Sequence, residues 1–155
     1  MTTCQICARE IKANTGVIAH HGYRRPGGGW QTASCAGARF LPYEKACDRL
    51  PPTIFAIQAF IARRTAELAT MMANPPATLK LQRRSVYDPR PEQDVEKPAE
   101  FKPIIDGWGE KPRTYENVFY NMIYEIKRSI QMSETDLEFM QDRLARWVAP
   151  EKAES

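Results

Sequence analysis

The chain reads as an α+β protein, mainly α, in which an N-terminal zinc-ribbon-like β-hairpin module is followed by an antiparallel helical hairpin. Three observations predict this. Cys4, Cys7, His21 and Cys35 gather four metal-binding side chains within the first 35 positions. Two long segments carry apolar residues at helical spacing, one on each side of the middle. Seven of the twelve prolines fall between Pro75 and Pro112, where they separate the two segments. The expected organisation is a zinc-binding module over 1–50, a long helix over 51–74, a Pro-rich connection over 75–112 and C-terminal helices over 113–150 that pack on 51–74.

The module is built on Cys4-Gln5-Ile6-Cys7, with His21 and Cys35 following at thirteen intervening residues each. A Cys-x-x-Cys turn sets two thiolates on one edge of a tetrahedron, and an imidazole with a third thiolate completes a Cys₃His set. Such a set leaves no position for water, so the zinc expected here is structural. From Thr15 to Tyr23, alternate residues share a face if the segment is extended, and Pro26-Gly27-Gly28-Gly29 is a strong turn signal. A return strand from Trp30 to Ser34 then delivers Cys35 to the site. His20 and His21 would point to opposite faces, and His21 shares the inner one with Val17 and Ala19. Cys47 reads as a small buried residue and not a ligand.

Pro51-Pro52 introduces the long helix, because proline in a first turn loses no intrahelical hydrogen bond. Ile54, Ile57, Ile61, Leu68 and Met72 form its stripe, with Phe55 and Phe60 widening it, and Asn74 before Pro75-Pro76 ends it near Ala73. In the connection, Leu79, Leu81, Val86 and Tyr87 suit a short extended segment, and Phe101, Ile104, Ile105 and Trp108 are apolar anchors. Thr114 is the expected N-cap of the next helix, whose stripe is Val118, Met122, Ile126 and Ile130, broadened by Phe119 and Ile123. Ser133-Glu134-Thr135-Asp136 resembles a capping box that restarts the chain toward Leu137, Met140, Leu144, Trp147 and Val148. One kinked helix is the alternative, since neither proline nor glycine interrupts the segment. The acidic pairs Glu134/Asp136 and Asp136/Glu138 read as an N-terminal bias on a solvated face.

Composition narrows the function classes. With 43% hydrophobic residues in 155, the chain can supply a core, and its longest apolar run falls far short of the ~20 residues that span a membrane. No signal peptide is visible, so a reducing cytoplasm is expected and two disulfides, which need a secreted chain, are disfavoured. A redox Cys-x-x-Cys normally opens a helix within an alternating strand and helix pattern, which is not found here. Residues 1–87 carry a net charge of +8 and residues 88–155 a net charge of −5. The two segments either face each other or solvent, or the basic half meets nucleic acid or an acidic partner. Arg24, Arg25 and Trp30 at the glycine-rich tip are the candidate partner contacts, by phosphate pairing and base stacking if the partner is nucleic acid. With two histidines, one of them assigned to zinc, a hydrolytic constellation is poorly supplied. The protein is therefore read as not an enzyme, with no catalytic residues assigned.

The runs His20-His21-Gly22-Tyr23-Arg24-Arg25-Pro26, Gly29-Trp30-Gln31-Thr32-Ala33-Ser34-Cys35-Ala36-Gly37-Ala38-Arg39 and Leu41-Pro42-Tyr43-Glu44 resemble small zinc-binding bacteriophage proteins of mostly unassigned function. A weaker likeness covers Arg143 to Pro150. The resemblance implies a phage origin, hence the cytoplasm of the host cell, and supports the ligand set Cys4, Cys7, His21 and Cys35. It implies no activity. The function expected is that of a non-enzymatic accessory protein that binds and modulates a host macromolecule, such as a defence complex, with a nucleic-acid-binding regulator as the alternative. A host or phage protein is the expected partner, and the chain is expected to be a monomer, with a homodimer through its helical faces as the alternative.

Overall fold

The computed structural model describes residues 2–26, 34–81, 93–103 and 114–150. Their order is β1 (Thr2–Thr3), β2 (Glu10–Ile11), α1 (Leu50–Ala73), β3 (Thr78–Leu81), β4 (Gln93–Glu96) and α2 (Tyr115–Arg146). The fold is mainly helical: antiparallel strand pairs accompany two long helices that pack together. The chain divides into two compact units, Met1–Ile61 with Met132–Ser155, and Ala62–Gln131. Both helices contribute residues to each unit.

In the first unit, β1 pairs with β2 in the register Thr2↔Ile11 and Thr3↔Glu10, and the Cys-x-x-Cys turn is the loop between them. The strand expected from Thr15 to Tyr23 does not form a ladder. Its Ile18 N–H instead donates to the Phe40 carbonyl, Arg39 N–H to the Ile18 carbonyl and Ala19 N–H to the Lys12 carbonyl, while Gly16 turns the chain at φ 84°, a value that glycine adopts readily. What remains of the expected hairpin is one antiparallel bridge, Gly22↔Ser34. The glycine-rich tip and most of the return strand, residues 27–33, lie outside the described residues.

The core of this unit joins Cys4, Ile6, Cys7, Ile18 and Cys35 to Leu50 and Ile54 of α1 and Met140 of α2, with Leu137 and Leu144 packed against it. The start of α1 therefore meets the end of α2. In the second unit, Leu68, Met71 and Met72 near the end of α1 pack with Tyr115, Phe119 and Ile123 at the start of α2, so the helices run antiparallel.

Helix α1 has 24 residues and α2 has 32, about 36 Å and 48 Å at 1.5 Å per residue. Pro51 and Pro52 lack two of the N–H groups that a helix start leaves unpaired, and the Arg49 N–H donates to the Gln5 side-chain carbonyl. Phe55 is 73% exposed, so the stripe is narrower than expected and Phe55 lies off it. Thr114 caps α2 through the Asn117 N–H. The helix then runs through Ser133 unbroken, and its buried line is Tyr115, Phe119, Ile123 and Ile126, whereas Met122 is 39% exposed. A capping box needs its serine out of helical geometry, and nothing around Ser133 forces that.

In the proline-rich connection, Leu79 and Leu81 lie in an extended segment, as expected. β3 and β4 form an antiparallel hairpin pairing Leu79 with Val95 and Lys80 with Asp94, and Leu79 enters the core of the second unit beside Tyr115 and Phe119. Phe101 docks edge-on against both rings, at 4.9 Å and 5.2 Å. The other expected anchors and strand residues, Val86, Tyr87, Ile104, Ile105 and Trp108, lie outside the described residues. Among those described, no helix is long and apolar enough to cross a membrane.

Candidate metal centre

The first half of the site is local geometry. β1 delivers Cys4 to a turn in which Ala8 N–H donates to the Cys4 carbonyl and Cys4 N–H to the Arg9 carbonyl. Ala8 takes a left-handed φ of 56°, so the chain reverses directly after Cys7. The backbone around Ile6 and Cys7 favours a thiolate at Cys4, and that around Arg9 favours one at Cys7. The second half comes from the loops: the Cys35 N–H donates to the His21 carbonyl, which ties the two remaining side chains together.

The ligand atoms of Cys4, Cys7, His21 and Cys35 all lie within 4.8 Å of one another, and all four residues are buried. The Cys4 and Cys35 sulfurs are 3.7 Å apart, and Cys7 Sγ is 3.2 Å from His21 Nε2. Two sulfurs on a tetrahedral ion, each at about 2.3 Å from it, are separated by about 3.8 Å. A disulfide would bring them to about 2.05 Å, and all four cysteines are free thiols. The His21 Nδ1–H donates to the Ala19 carbonyl at 2.9 Å, which leaves the Nε2 lone pair facing the sulfurs. This is the tautomer that a ligating histidine needs, held by a backbone acceptor.

Crowding splits the thiol acidities. Cys7 is driven far below the ordinary thiol range, chiefly by hydrogen bonding from Cys35 and then from Cys4. Cys35 is driven far above it by hydrogen bonding with Cys4 and then Cys7, and by burial. One proton-free sulfur is thus stabilised by its neighbours. A divalent cation at the centre would serve all three thiolates at once.

Every sequence-predicted ligand is therefore brought into one cluster. His20 is exposed, with its Nε2 2.7 Å from Ser34 Oγ, and Cys47 packs beside the core outside the cluster. Gly37 follows Cys35 where a Cβ would run into the Cys4 sulfur and press on Ile6. Gln5, between the first two ligands, is fully buried and spends its amide on the Leu41 carbonyl and the Asp48 carboxylate.

The predicted partner contacts separate. Arg24 is exposed, and Trp30 lies outside the described residues. Arg25 instead makes a two-pronged ion pair with Asp136 of α2, Nε and Nη2 each 2.9 Å from a carboxylate oxygen. Asp136 is buried, contrary to the solvated face expected for it, because the helix turns it toward Arg25 and Tyr23. Burial raises the Tyr23 phenol, and the nearby Asp136 charge raises it further. Sequence reasoning missed this pairing, and also Arg143, whose Nε donates to the Gln5 carbonyl at 3.1 Å and whose Nη2 donates to that of Cys4 at 3.2 Å. Compared with protein-family models, curated proteins and solved structures, the chain matches none.

Proposed function

We propose that Cys4, Cys7, His21 and Cys35 hold a structural Zn²⁺ and that the chain is a non-enzymatic accessory protein, of phage type, that binds and modulates a host macromolecule. The observation that carries the metal is the closed donor set: four buried ligand atoms within 4.8 Å, three of sulfur and one of imidazole, the combination and number that zinc takes in structural sites. A site without a place for water supplies no metal-bound hydroxide, which favours a scaffolding role. The metal would hold together loops that contain little regular structure and would seat them on the helix ends. Binding is ascribed to the exposed Arg24, with Trp30 six positions further along, and not to Arg25, which Asp136 engages.

Metal analysis of protein never exposed to chelator tests the first half. One equivalent of zinc is expected, lost in Cys35→Ser, and less than half an equivalent in the unmodified chain would remove the site. For the second half, zinc-loaded protein is used to capture partners from host lysate, in parallel with Arg24→Ala. A captured protein that is lost with Arg24→Ala, at unchanged melting temperature, supports the reading. The exposed Lys12, Arg24 and Arg39 on the metal-bearing unit favour one other partner, nucleic acid. Tight binding to bare DNA or RNA that weakens steeply with salt would replace the protein partner with that one.

A further inference from the structure

Arg143 lies 139 positions from Cys4 in sequence, yet its guanidinium is set against the backbone of the Cys-x-x-Cys turn. The carbon of the guanidinium stands 3.9 Å over the Tyr43 ring. Tyr43 donates its hydroxyl to the Arg143 carbonyl at 2.6 Å, and Trp147 Nε1–H donates to the Tyr43 carbonyl at 2.8 Å. These bonds tie Tyr43 and its ring to the helix end that carries Arg143. Tyr43, Arg143 and Trp147 thus form one clamp.

What the clamp presents to the site follows from peptide connectivity. Arg143 Nε–H donates to the carbonyl of Gln5, and the same peptide unit continues into the Ile6 N–H, two residues from Cys4 in the turn whose backbone favours a Cys4 thiolate. A cation on the carbonyl polarises a peptide and strengthens its N–H as a donor. The second prong holds the Cys4 carbonyl itself. Three thiolates and one neutral imidazole around a divalent ion leave a net negative charge, and a buried charge needs a partner.

We propose that Arg143 is a positioning residue of the metal centre, a built-in counter-cation that acts on the Cys4 thiolate through the peptide between Gln5 and Ile6 and so raises metal affinity. The proposal rests on the metal reading above. It also makes the coupling reciprocal: whatever tightens the metal tightens the hold of the turn on the C-terminal end of α2.

The test loads the full chain with Co²⁺, whose thiolate-to-metal absorption reports sulfur donation, and then measures Zn²⁺ affinity by competition with a chromophoric chelator. Arg143→Met keeps an apolar stem and loses the cation. It is expected to bind Zn²⁺ about 10–100-fold more weakly, the usual cost of losing an outer partner of a metal ligand, with a shifted thiolate band. Arg143→Lys keeps the charge with less directional donors and should fall between. Both variants folded, within twofold of wild type and with unchanged Co²⁺ spectra would overturn the proposal. Failure of both to fold in excess zinc would overturn it too, since Arg143 would then be holding the fold and not tuning the metal. A wild-type chain that takes up no Co²⁺ or Zn²⁺ defeats the metal reading itself, a result distinct from equal binding by wild type and variants.

Discussion

Replacing Arg25 with alanine leaves the Asp136 carboxylate buried without its cation. The two side chains are 9% exposed for Asp136 and 31% exposed for Arg25, so the two ends of the pair are not equivalent. Removing one partner of a fully buried pair costs about 3–5 kcal/mol. Arg25 keeps part of its hydration, which lowers the expected cost of Arg25→Ala to about 2–3 kcal/mol. Asp136→Ala should cost only about 1–2 kcal/mol, because the freed guanidinium can swing to water and alanine is the better helix former by about 0.5 kcal/mol. In the double variant the carboxylate is gone as well, so its cost should fall short of the sum by about 1–2 kcal/mol. At about 2–4 °C per kcal/mol for a chain of this size, Arg25→Ala should lower the melting temperature by about 4–12 °C. Urea unfolding at saturating zinc, followed by far-UV circular dichroism, gives all three values. Arg25→Ala within 0.5 kcal/mol of wild type would show that the pair adds nothing. Asp136→Ala costing more than Arg25→Ala would show that the unpaired buried charge is not the governing penalty.

Other perturbations follow from single contacts. Gly37→Ala drives a methyl group into the Cys4 sulfur and should weaken zinc binding by about tenfold or more in chelator competition; undiminished affinity would mean the 35–39 turn shifts freely. Gln5→Ala strips the Arg49 N–H, the Leu41 carbonyl and the Asp48 carboxylate of one partner each and should cost about 2–4 kcal/mol in urea unfolding, a loss smaller than 1 kcal/mol being the contrary result. Phe119→Ala, at 2% exposure, should cost about 3–5 kcal/mol, whereas Phe55→Ser, at 73% exposure, should stay within about 0.5 kcal/mol. Equal effects at the two positions would contradict the assignment of helix faces.

The ligand set and the helices were legible in the residues themselves, because both are written in short-range spacing. A Cys-x-x-Cys pair presents two thiolates whatever surrounds it. His21 was separable from His20 by alternation, even though the strand that argument assumed does not form: Ile18 pairs with the 39–40 loop, and a single bridge keeps His21 beside Cys35. Helix α1 was bounded by its prolines to within two residues at each end, while the choice of Ile126 over Met122 for the buried line of α2 depended on what packs opposite. The extended segment at Leu79 and Leu81 was legible, but its β4 partner was hidden because a proline-rich, charged segment shows no period, and the core that Leu79 enters is completed by Tyr115, Phe119 and Ile123 far along the chain. Asp136 read as a surface acid and Arg25 as a free contact, since nothing local marks two residues 111 positions apart as partners. Arg143 was hidden for the same reason. Local pattern determined which atoms can bind a metal and which segments can be helices; only tertiary packing decided which charges are buried, because the cost of desolvating an arginine or an aspartate is met by partners that chain order does not bring together.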